Sequence, residues 1–120
     1  MTPTQAKKWF AEQKIRYVLA QFVDIHGAAQ AKAVPVEHYG MVLGDGAGFA
    51  GFALWGFGMG PHGPDYMGVG DPVTLGSLPW MPGFARVACD GHVNGKPYPY
   101  CSRVALKNQL KRLESKGLTI

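Results

Sequence analysis

Only two cysteines occur among the 120 residues, Cys89 and Cys101. They form neither a C-x-x-C pair nor a dense framework, which excludes a disulfide-stapled scaffold and points to free thiols in a reducing compartment. No hydrophobic run reaches the length of a membrane span. The amino terminus places Lys7, Lys8 and Glu12 around Trp9 and Phe10, so it has no apolar signal-peptide core. A cytoplasmic protein with no membrane partner is expected. The four histidines show no H-x-x-x-H or Cys/His ligand spacing, so no metal site is expected from this chain. Carboxylates are few and none form a close pair, which argues against two-acid general acid/base chemistry. Cations are missing altogether from residues 33–85, where Glu37, Asp45, Asp65 and Asp71 carry the only formal charges.

The abundant residue is glycine, and 11 of the 17 glycines fall between Gly40 and Gly70. Phe, Trp, Met and Leu are interleaved with them, so residues 44–63 are expected to form a long irregular loop rather than a flexible linker. The length is that of one domain able to bury a modest core. Charge is uneven: Arg103, Lys107, Lys111, Arg112 and Lys116 stand against Glu114 alone in residues 103–116. A basic end of this kind suits nucleic acid in principle, but the solvated face of an amphipathic helix accounts for it more simply, and no nucleic-acid partner is expected.

Local pattern gives an α+β domain with a mixed sheet. Thr2-Pro3-Thr4-Gln5 is a capping box with proline at the first helical position. Ala6, Trp9, Phe10 and Gln13 then follow helical spacing. Tyr17-Val18-Leu19-Ala20-Gln21-Phe22-Val23 is apolar on alternate faces, as a central strand covered on both sides should be. Asp24-Ile25-His26-Gly27 supplies a turn, and residues 29–34 a pairing strand ended by Pro35. A short helix is expected over 36–41, and a strand pair or bent strand over 66–75. Leu78-Pro79-Trp80-Met81-Pro82-Gly83 reads as a rigid corner with a buried tryptophan. A strand follows over 84–90, then an Asn94-Gly95 hairpin turn. A last helix spans 102–116, with Leu106, Leu110 and Leu113 on its apolar face and Gly117 past its end.

Some motifs carry little weight. Gly46-Ala47-Gly48-Phe49-Ala50-Gly51 and Gly58-Met59-Gly60-Pro61-His62-Gly63 both satisfy G-x-G-x-x-G, yet neither has a strand before it and a helix after it. Cys89 lies in a strand pattern and reads as core. Cys101 precedes a helix start, where the dipole would favour a thiolate.

Together, the landmarks resemble a known family. Val23-Asp24-Ile25-His26-Gly27 followed by Lys32 and Pro35 is similar to the D-x-x-G hairpin, Lys and Pro of the amino-terminal domain of glutamine synthetases. Phe49-Ala50-Gly51-Phe52-Ala53 stands where that family has F-D-G-S-S. Pro64-Asp65 and Asp71 stand at its S-D and P-D pairs. Leu78-Pro79-Trp80, Pro82-Gly83, Ala85-Arg86-Val87 and Cys89-Asp90-Gly91 resemble its LPW-x-PG-x-ARV-x-CD passage. The resemblance implies a β-grasp domain over 1–102 with a packed helix and a long Gly-rich loop. Residues 103–120 would then be the first helix of the connection to a catalytic domain absent from this chain.

It further implies a parent that uses ATP and Mg2+ or Mn2+ to phosphorylate the γ-carboxylate of glutamate, so that an amine displaces the phosphate. None of these cofactors is expected to bind this chain, which is not expected to be active alone. The implied partners are glutamate, an amine and neighbouring subunits of a homo-oligomeric ring, where the loop closes the neighbour's active site.

The departures matter. Ala50 replaces the family's ammonium-binding Asp, and Phe52 and Ala53 replace its serines. Loss of a buried carboxylate favours an amine carrying an alkyl group, which implies the γ-glutamylmethylamide synthetase branch. The amine pocket loop is then Ala50, Gly51, Phe52 and Ala53, with Phe57 near the family's pocket tryptophan and Asp65 in support. Two alternatives stay open: the loop has diverged and the amine is held by the other domain, or the chain is a stand-alone β-grasp interaction module.

Overall fold

The computed structural model describes residues 1–54 and 59–120, and of Phe52 the backbone alone. The first helix, α1 (Pro3–Glu12), begins with the capping box. The Thr2 hydroxyl accepts from the Gln5 N–H at 3.2 Å, and the Thr2 N–H donates to Gln5 Oε1 at 2.8 Å. Ala6 and Phe10 are buried, while Gln13 ends the helix and Lys14 takes a positive φ of 55° that turns the chain into the sheet.

Strands β1 (Tyr17–Val23) and β2 (Ala29–Pro35) form an antiparallel hairpin. Asp24 holds its turn, accepting from the N–H groups of His26 and Ala28 at 2.9 Å each and from Gln30 Nε2 at 3.0 Å. Gly27 takes φ 80° there, a conformation that costs glycine little. After a 3-10 turn (Val36–His38), α2 (Tyr39–Leu43) leads to β3 (Ala47–Phe49) and a second 3-10 turn (Gly51–Ala53). Strand β4 (Tyr66–Gly70), a 3-10 turn (Pro72–Thr74) and the short β5 (Gly76–Ser77) precede the ten-residue β6 (Phe84–Val93). A turn through Asn94 (φ 53°) and Gly95 (φ 75°) gives the two positive φ values of a tight hairpin and leads to β7 (Lys96–Pro97). The last helix is α3 (Ser102–Glu114).

The sheet is mixed, with path β2-β1-β6-β4-β3 and with β5 and β7 also paired to β6. Strands β1 and β6 run parallel, and every other pair is antiparallel. The main core lies under one face, where Val18, Ala20, Ala85 and Val87 meet Phe10 of α1 and Val42 of α2. Burial of the valines and the phenylalanine contributes about 1.5–3 kcal/mol each, and of each alanine methyl about 0.8 kcal/mol. A second cluster joins Phe22, Tyr66, Cys101 and Val104, with Phe49 and Tyr98 packed against it.

Four expectations need correction. Strand β1 is covered on one face only: Val18, Ala20 and Phe22 are buried, whereas Tyr17, Leu19 and Gln21 are half-exposed. Trp80 is 78% exposed, because the Leu78–Phe84 corner buries Leu78 and turns the tryptophan outward. The segment 44–63 is not all irregular, since residues 47–49 pair with β4. Helix α3 docks on the sheet with its cations as well as its apolar residues: Arg103 and Lys107 are half-buried, as are Leu110 and Leu113, whereas Leu106 is 60% exposed. Arg103 and Lys107 meet carboxylates there, and Val104 is the helix's one buried residue among those described.

Candidate functional site

The loop singled out by sequence leaves the sheet at β3. Register pairs Ala47 with Gly68, Gly48 with Met67 and Phe49 with Tyr66, so the strand's last residue sits opposite the first of β4. Phe49 presses its edge on Phe22 at 5.0 Å and faces Tyr66 at 6.5 Å. The aromatic contact pins the point of departure, because both partners belong to the second core cluster.

Ala50 is extended (φ −68°, ψ 107°), and a 3-10 turn follows, with Ala53 N–H donating to the Ala50 carbonyl at 3.0 Å and Leu54 N–H to that of Gly51 at 3.1 Å. Gly51 is buried against the returning limb. A β-carbon built on it would stand 2.7 Å from the Pro64 carbonyl oxygen and collide with Met59 Sδ. Only glycine lets the two limbs approach this closely. Leu54 and Met59 pack on the second core cluster.

Of the candidate residues, Ala50 and Ala53 are exposed, Gly51 is buried in the pinch, and Asp65 is exposed beside Pro64 at the foot of β4. The Phe52 side chain and Phe57 lie outside the described residues. Ala50, Gly51 and Ala53 offer no acid, base or metal ligand. They can shape a surface and keep water from it.

A second feature escaped the sequence reading. Arg103 Nε donates to Asp90 Oδ1 at 2.7 Å and its Nη2 to Asp71 Oδ2 at 2.5 Å, while Lys107 Nζ reaches Asp90 Oδ2 at 2.5 Å. All four side chains are half-buried. They dock the start of α3 on the sheet, and Ser102 Oγ adds a bond to the Val23 carbonyl at 3.1 Å. The only signal in sequence was the cationic run of residues 103–116 against the cation-free residues 33–85, which contain Asp71 but not Asp90 and so do not name the pairs.

The thiols are both buried. Burial pushes Cys89 up to about 12, against the smaller lowering effect of the Gln21 backbone. Cys101 caps α3, and its sulfur accepts from the Gly91 N–H at 3.3 Å. Among the described residues no group of three or more His, Cys, Asp or Glu side chains could hold a metal ion, and no helix is long and apolar enough to cross a membrane. A cleft of about 470 Å³ between α1 and α2 is lined by Lys7, Phe10, Ile15, Val36, Glu37 and Tyr39 among others, and by none of the loop residues.

A mixed sheet carrying these landmarks defines a class: the chain belongs to the glutamine synthetase family, to its N-terminal region. It is 56% identical over 120 residues to the glutamate–methylamine ligase of Methyloversatilis universalis, across 99% of this chain and 27% of that protein. Identity to the glutamine synthetase of Rhizobium leguminosarum bv. phaseoli is 37% over 112 residues, across 92% of this chain and 26% of the relative. The GmaS/ADP complex in its conformation 1 superposes with a TM-score of 0.85 at 39% identity, covering 91% of this chain and 25% of that one. The chain therefore spans about a quarter of the length of the relatives it matches. No family model matches it.

Proposed function

We propose that this chain is the N-terminal, β-grasp-like part of an ATP-dependent ligase that joins glutamate to an alkylamine, with methylamine the preferred partner. Residues 50–53 wall the amine end of the active site of a neighbouring subunit. Residues 103–120 open the connection to the catalytic part, which supplies the sites for ATP and its divalent metal. The parallel β1–β6 pair beside the β1–β2 hairpin supports the β-grasp reading. The exposed Val73, Trp80 and Tyr100 are surfaces of the kind that subunit contacts cover.

One observation carries the choice of amine. The exposed 3-10 turn that leaves the sheet at Phe49 presents Ala50 and Ala53, and no carboxylate. A carboxylate stabilises a small, strongly hydrated ammonium ion, whereas methyl groups favour a substrate with an alkyl group to bury. The 56% identity to a glutamate–methylamine ligase supports the same reading.

The test is the specificity of the full ligase chain, as kcat/KM for methylamine against ammonium. Methylamine should be preferred, and Ala50→Asp should move the preference toward ammonium by about ten-fold or more, the effect of one methyl group in an apolar pocket. Equal or better use of ammonium by the unmodified enzyme would refute the reading.

A further inference from the structure

Lys32 occupies an unusual place for a lysine. It lies on β2 opposite Ala20, and alternation puts it on the same face as Gln30 and Val34, the face that carries Val18, Ala20 and Phe22 of β1. An ammonium group cannot stay among such residues without a partner. Its stem instead runs off the edge of the sheet, and Nζ donates to the Gly48 carbonyl at 2.9 Å.

Strands β2 and β3 are the two ends of the path β2-β1-β6-β4-β3. The Lys32 side chain therefore crosses the gap at which the sheet fails to close, and it holds a carbonyl on the open edge of β3. The Phe22–Phe49 contact spans the same gap through the core. Gly48 is two residues before Ala50 and three before Gly51. The loop thus hangs from three attachments: the Phe49 ring in the core, the Gly51 contact with Pro64, and the Lys32 bond to Gly48. Of the three, Lys32 alone is polar and exposed, and it is the one that reaches β2, whereas the Phe49 ring meets Phe22 of β1.

We propose that Lys32 is a positioning residue for the amine site: by clamping the Gly48 carbonyl it sets where Ala50 and the turn after it stand over the substrate. This rests on the reading of residues 50–53 given above. A loop of Ala50, Gly51, Phe52 and Ala53 carries no charge and discriminates by shape, so its position is its specificity. Freed of the clamp, the departing limb moves away from β2 and the amine loses a wall, while the glutamate and nucleotide sites keep theirs.

The experiment uses the full ligase chain with Lys32→Met and Lys32→Arg. Hydrogen exchange is followed in peptides spanning 47–54, and KM is measured separately for methylamine, glutamate and ATP. Lys32→Met should quicken exchange at 49–54 and raise KM for methylamine about three- to ten-fold, the scale of one lost hydrogen bond. The other two constants should hold, and Lys32→Arg, which keeps a donor, should restore both readouts. Unchanged exchange, a common rise in all three constants, or no rescue by arginine overturns the proposal. Ala50→Asp serves as the control. If it alters the amine preference while Lys32→Met leaves KM for methylamine unmoved, the positioning role is refuted and the site reading stands. If Ala50→Asp changes nothing although Lys32→Met quickens exchange, the site reading itself is refuted, and the positioning role falls with it.

Discussion

Gly51 lies so close to Pro64 that a β-carbon on it would come within 2.7 Å of the Pro64 carbonyl oxygen. Two limbs of a glycine-rich segment meet there closely because Gly51 has no side chain. Met59, also in the way, has a flexible side chain that can move aside; the Pro64 oxygen is backbone and cannot. Gly51→Ala should therefore part the limbs. The expected cost is about 1–3 kcal/mol, measured by chemical denaturation, together with faster exchange at 50–54. Stability within error of the parent would show that the limbs do not meet.

The cluster at α3 and a surface pair make a controlled comparison. Asp90 accepts from both Arg103 and Lys107 at 2.7 and 2.5 Å and is about four-fifths buried. Its two cations are 31% and 41% exposed, which screens part of the attraction. Asp90→Asn should cost about 1–2 kcal/mol and should free the start of α3 in hydrogen exchange. Lys8 and Glu12 are 3.9 Å apart with side chains 80% and 57% exposed. Glu12→Gln should change stability by less than about 0.5 kcal/mol. Equal effects of the two substitutions would contradict the assignment of α3 docking to this cluster.

Asp24 gives an acid-dependent turn. Its carboxyl is lowered from 3.8 chiefly by the Gln30 side-chain amide, then by the Ala28 N–H, with His26 adding less and desolvation opposing. A carboxyl depressed on folding stabilises the fold above its unfolded value and loses that contribution as pH falls through the folded value. Amides 26–30 should therefore be protected at neutral pH and begin to loosen only below about pH 4. Asp24→Asn should show the loosened pattern at neutral pH, and its protection should not vary over the acid range.

Cys89 gives the opposite window. Burial raises its thiol from 9.0 to about 12. A thiol raised on folding contributes fully below its unfolded value and loses that contribution as pH climbs from there toward the folded one. Stability should fall between about pH 9 and 12 more steeply in the parent than in Cys89→Ala, compared by urea titration across that range. At neutral pH a thiol reagent should label Cys89 only on unfolding; fast labelling of the native protein would contradict its burial.

Several elements were legible before any coordinates because their causes are local. The α1 capping box needs only Thr2 and Gln5, the β1–β2 turn needs Asp24 and Gly27, and the last hairpin needs Asn94 and Gly95. The loop landmarks at 49–53 were legible for the same reason, as a continuous stretch set against a known pattern. Legibility failed where a choice depended on distant residues. Spacing marks α3 as amphipathic, but the acceptors that seat Arg103, Asp71 and Asp90, lie 32 and 13 residues before it.

The amino-acid order alone therefore determined the helices, turns and most strands, since propensity and capping act over a few positions. Folding in three dimensions decided the rest. It made β1 and β6 neighbours across the 60 residues that separate them, left one face of β1 and the Trp80 ring open, and brought Lys32 to Gly48 across the sheet's gap. Such contacts depend on how the whole chain closes around its core, and no short window of sequence contains both partners.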